Sequence, residues 1–87
     1  MANLRTQDIL RRISNIIHDE ASDPDDFFRL LEDVNRRLRS KGLHPAYRII
    51  YEEGYMQYDM HQYQNYPRER KALLEVLEEL VERFRPA

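Results

Sequence analysis

The residues best equipped for chemistry are a histidine and the acids that follow it. His18 precedes Asp19, Glu20, Asp23, Asp25 and Asp26, a density of oxygen donors suited to holding a divalent cation or sharing a proton. The spacing argues otherwise. A calcium loop alternates its ligands and closes with a bidentate glutamate, whereas Asp23-Pro24-Asp25-Asp26 has the composition of a helix start. Asp23 can accept from the first free N–H groups, Pro24 suits the first helical position, and Asp25 and Asp26 face the positive end of the helix dipole.

A second acid–base couple is conceivable in His61 and Asp59, with His44 as a third member. Neither an HExxH pair nor a phosphate-cradling glycine loop accompanies them, since Gly42 and Gly54 are the only glycines. Ser14, Ser22 and Ser40, the only serines, lie outside any nucleophile-elbow context. The chain has no cysteine, which removes thiolate zinc sites, disulfides and thiol redox chemistry. The expectation is a protein that is not an enzyme, with no cofactor and no metal.

What the chain does concentrate is aromatic contact surface. All six tyrosines, Tyr47, Tyr51, Tyr55, Tyr58, Tyr63 and Tyr66, fall within twenty consecutive residues. Tyrosine presents a large ring and a polar tip with few torsions to immobilise, so it favours contact surfaces. Just before this stretch the charge turns positive: residues 35–48 carry +5, from Arg36, Arg37, Arg39, Lys41 and Arg48. The predicted partner-binding residues are Tyr47, Tyr51, Tyr55, Tyr58 and Tyr63, flanked by Arg36, Arg37, Arg39 and Arg48. A protein partner is the leading expectation. The alternative is a single-stranded or structured nucleic acid, its phosphates on the arginines and its bases stacked on tyrosine. The acids Glu52, Glu53 and Asp59 and an overall charge of -2 weigh against it.

These residues need elements to position them. Ile9, Leu10, Ile13, Ile16 and Ile17 repeat at one-face helical spacing, which predicts a helix over about Thr6 to Glu20. A second helix begins at Pro24, carries Phe27, Leu30, Leu31, Val34 and Leu38 with Phe28 widening the stripe, and ends in basic residues before Gly42. His44-Pro45 then breaks the helical pattern. The β-branched and aromatic run Ala46–Glu52 predicts a strand, Glu53-Gly54 a turn, and Tyr55–Gln62 the returning strand. A third helix follows from Pro67, with Leu73, Leu77, Leu80 and Phe84 as its stripe, Leu74 and Val81 broadening it, and Glu79 and Arg83 as an i, i+4 pair. The predicted fold is a single α+β domain over residues 1–87 in the order α-α-β-β-α, with a Tyr-rich hairpin as its β part.

A chain of 87 residues buries only about 60 to 65% of its unfolded surface, and its core is correspondingly marginal. Without disulfides, self-association is the natural supplement, and an exposed hairpin edge is where a homodimer would pair. The longest apolar runs are three residues, so no membrane span and no signal-peptide core is expected. The overall expectation is a small soluble cytoplasmic regulator, adaptor or inhibitor.

Overall fold

The computed structural model describes residues 5–44, 48–52, 55–58 and 66–85. Three helices, α1 (Thr6–Glu20), α2 (Pro24–Ser40) and α3 (Tyr66–Arg83), are accompanied by two short strands, β1 (Ile49–Glu52) and β2 (Tyr55–Tyr58), between α2 and α3.

The α+β class expected from the sequence is corrected. The three helices hold 50 of the 69 described residues, and the architecture is a three-helix one in which the Tyr-rich segment contributes no sheet layer. β1 and β2 are four residues each and meet antiparallel, with Ile49 opposite Tyr58 and Glu52 opposite Tyr55. A ribbon this short offers too little apolar surface to back a core. The helices close on one another instead, and Ile49 is the residue of β1 that enters the core. β1 begins at Ile49, leaving Arg48 ahead of it. Tyr47 and residues 59–62, expected in the strands, lie outside the described residues.

The core is assembled from one stripe per helix. Ile9, Leu10, Ile13 and Ile17 of α1 meet Phe27, Leu31, Val34 and Leu38 of α2 and Ala72, Leu73, Val76, Leu77 and Leu80 of α3, joined by Leu43. The α3 stripe is rotated from the expected one: Ala72 and Val76 turn inward, Leu74 and Phe84 are half-buried, and Val81 is 48% exposed. Glu69, in the first turn of α3, is also buried.

Both ends of α2 are fixed by local chemistry. The Asp26 N–H donates to Asp23 Oδ1 at 2.7 Å, and Asp26 reaches back to accept from the Ser22 N–H and hydroxyl at 3.0 and 3.2 Å. Two donors otherwise left over at the helix start are thereby satisfied. At the other end the Gly42 N–H donates to the Arg39 carbonyl and the Leu43 N–H to the Leu38 carbonyl, at 3.0 and 3.3 Å. Gly42 sits at φ 92°, the left-handed turn a Schellman cap needs. Leu43 packs back beside Leu38, both in the core.

The ribbon is tied to α2 by one side chain. Asn35 Nδ2 donates to the Ile49 carbonyl at 2.9 Å, and the Ile49 N–H donates to Asn35 Oδ1 at 2.7 Å. The amide of Asn35 thus acts as a strand partner on the edge of β1 that faces away from β2. Asn35→Ala should lower unfolding free energy by about 2 kcal/mol, because two backbone groups near the core lose their partners together. Urea denaturation with unchanged cooperativity tests this, and a variant as stable as the parent would contradict it.

Candidate protein-interaction site

A three-residue turn separates α1 from α2 and brings the end of one helix against the start of the next. Four rings gather at this corner. Phe27, in the first turn of α2, is buried at their centre. Its ring lies 4.7 Å from His18, 4.9 Å from Tyr51 and 5.5 Å from Phe28, centroid to centroid. The Phe28 contact is edge-on at 89° and the Tyr51 contact tilted at 63°, geometries that set the positive ring edge against a negative face. His18 and Tyr51 close the cluster at 5.8 Å.

The rings border a cavity of about 340 Å³, within the range of small ligand sites. Its wall continues through Ala21, Ser22, Asp23 and Pro24, so the helix start described above is also one side of the cavity. Phe27 and Phe28 are adjacent on a helix, about 100° apart in direction, and cannot both face the core. Phe28 is the one turned to the rim, 51% exposed. Such a site can receive an apolar or aromatic side chain. Asp23 adds a carboxylate to its wall.

Of the residues predicted from sequence, Tyr51 belongs to this corner. Tyr55 and Tyr58 lie in β2, in register with Glu52 and Ile49, and Tyr47 and Tyr63 lie outside the described residues. Arg36, Arg37 and Arg39 are not brought to the corner. Nine residues of helix separate Phe28 from Arg37, on the order of 13 Å. Arg48 is exposed just ahead of β1. His18, Phe27 and Phe28 were not predicted as site residues, although a phenylalanine doublet just after a helix cap is a signal that one ring must point outward.

Two members of the basic segment, Arg37 and Lys41, are engaged with α3. Asp33 accepts from Arg36 at 3.3 Å, Arg37 at 3.0 Å and Arg83 at 2.9 Å. Arg37 also donates to Glu79 at 2.8 Å, and Lys41 pairs with Glu79 and, at 3.7 Å, with Glu75. The expected pairing of Glu79 with Arg83 along α3 gives way to pairs that cross between helices. Arg39 stays exposed. Among the described residues no group of three His, Cys, Asp or Glu side chains is placed to hold a metal ion. Nor, among them, is any helix long and apolar enough to cross a membrane.

No protein-family model matches the chain, and comparison with curated proteins and with solved structures finds no match.

The cross-helix pairs shape the response to pH. Hydrogen bonds from Lys41 and then Arg37 hold the Glu79 carboxyl below its ordinary value of 4.5. Partial burial pushes Asp33 upward, but Arg37 and Arg83 outweigh it and the net shift is below 3.8. A carboxylate lowered on folding contributes stability that is present above its unfolded value and lost as pH falls through its folded value. The hydrogen bond to Glu79 raises Lys41 above 10.5, so that contribution persists up to its ordinary value and is lost as pH rises beyond it. Glu79→Gln should therefore flatten the acid limb of the stability profile below about pH 4.5 and weaken the alkaline limb. Thermal melts from pH 2 to 11 check both limbs, and an acid limb as steep as the parent's would contradict the assignment.

Proposed function

We propose that this chain is a small protein-interaction module, a regulator, adaptor or inhibitor without a catalytic role, that receives a segment of a protein partner at the corner formed by His18, Phe27, Phe28 and Tyr51. The observation that carries this reading is Phe28, half open to solvent at the rim of an aromatic-lined cavity. A lone exposed phenylalanine would mean little. Continuous with three further rings and a concave surface, it has the features of a contact anchor. Tyr51 is the member of the predicted tyrosine set on which this reading rests, and an intracellular, cytoplasmic setting agrees with a chain lacking cysteine.

The nucleic-acid alternative draws on the same arginines, but Arg37 and Lys41 are already paired with carboxylates. Phosphate would have to compete with those partners, which favours the protein reading. Pairing of two copies through the ribbon edge is also a weaker part of the proposal, because Asn35 already satisfies both backbone groups of Ile49.

Selection of a displayed random-peptide library against the folded chain tests the reading. The selected peptides should share an aromatic or large aliphatic anchor. Phe28→Ala should weaken them about tenfold or more while leaving stability nearly unchanged, whereas Phe27→Ala should cost about 3 to 5 kcal/mol of stability. Arg39→Ala should change peptide affinity little. Peptides indifferent to both Phe28→Ala and Tyr51→Ala would refute the site. Salt-steep binding of labelled single-stranded RNA or DNA, lost in Arg36→Ala and Arg39→Ala, would transfer the function to nucleic acid.

A further inference from the structure

A second concave surface, of about 390 Å³, lies between the C-terminal ends of α1 and α3. Its apolar part is Ile16, Val81 and Phe84 over a floor that includes Leu80, its α1 wall carries Asp19 and Glu20, and its α3 wall carries Arg85. We infer that this groove is the seat of a second copy of the same chain, so that the protein forms a two-fold dimer through α1 and α3.

The apolar part follows from the rotated stripe of α3. Ala72, Leu73, Val76, Leu77 and Leu80 fill the core, so Val81 and Phe84 are surplus to it. Val81 is 48% exposed, and Ile16 and Phe84 are only partly covered. Water therefore meets a short apolar band along two neighbouring helices, which a second pair of helices would cover by ordinary helix packing.

The charges identify the occupant. An isologous contact presents the same patch twice, so a surface can bind its own copy only if it is self-complementary. In this groove one wall is acidic and the other ends in a base. Laying α1 of one copy over α3 of the other brings Asp19 and Glu20 against the second copy's Arg85, and the two-fold repeats the match on the other side. Among the described residues Arg85 is held within its own chain by Glu82, an i, i+3 neighbour at 3.1 Å with both side chains well exposed. Such a pair is weak and yields readily to a new partner. Burial of Ile16, Val81 and Phe84 against the second copy supplies the driving force.

Sedimentation equilibrium of the full chain from micromolar to millimolar concentration tests the inference. The average mass should climb from that of one chain toward that of two, and Val81→Asp should move the midpoint to about tenfold higher concentration or more, with helical circular dichroism unchanged. Arg85→Glu alone and the double variant Asp19→Arg, Glu20→Arg alone should each fail to self-associate. Mixed together, those two variants should form a dimer, because every contact then joins opposite charges. A single-chain mass at millimolar concentration, a dimer indifferent to Val81→Asp, or a mixture that stays monomeric would each overturn it.

Discussion

The side-chain amide of Asn35 holds both backbone groups of Ile49, and the position of the aromatic corner depends on that contact. Four-residue strands have little to keep them in place. Fixing one residue fixes the register of β1 against α2, and with it the depth at which Ile49 enters the core. Tyr51, two residues on, shares the face of Ile49 and so arrives beside Phe27 and His18. Without this anchor the rings of α1 and α2 would lack their fourth member. A single amide thus links backbone pairing, core packing and the shape of a surface cavity.

Electrostatics divides the molecule into two regimes. Along α2 and α3 the charges are spent on each other: Asp33, Arg37 and Lys41 meet Glu75, Glu79 and Arg83 across the helix interface. They are partly exposed, so each pair contributes modestly and the benefit comes from their connection. At the opposite end, around the α1–α2 turn, the acids are committed to starting a helix or left facing water. The protein therefore has a region where charge is compensated internally and one where it is offered to the surroundings.

Much of this was legible in the chain, and the exceptions have physical causes. The start of α2 could be read from Asp23-Pro24-Asp25-Asp26 and its end from Gly42-Leu43, because caps are local chemistry in which a few consecutive residues decide the outcome. α1 was equally clear from its unbroken apolar stripe. The β part was over-read: alternating tyrosines fit a strand wherever they lie, and pattern alone does not say how many residues will pair or whether a layer forms. The α3 stripe was legible at Leu73, Leu77 and Leu80, whereas Ala72 and Val76 were passed over because they are small, and only the close approach of neighbouring helices makes them core. The basic segment looked like a surface patch since nothing in sequence places Glu75 and Glu79, more than thirty residues later, against it. The aromatic corner required His18, Phe27 and Tyr51 to meet from three elements, which is tertiary information.

The start of α2 has a further implication. Asp23, Pro24 and Phe27 begin the helix or fill the core and at the same time form the wall of the cavity. A lineage that altered them to reshape the cavity would also loosen the fold. Adaptation at this corner is confined to Phe28, His18 and Tyr51, positions whose rings can change in size or polarity while the helix start stays intact. Foldability and the shape of the cavity are written in overlapping letters here, and that overlap limits the routes by which the corner can change.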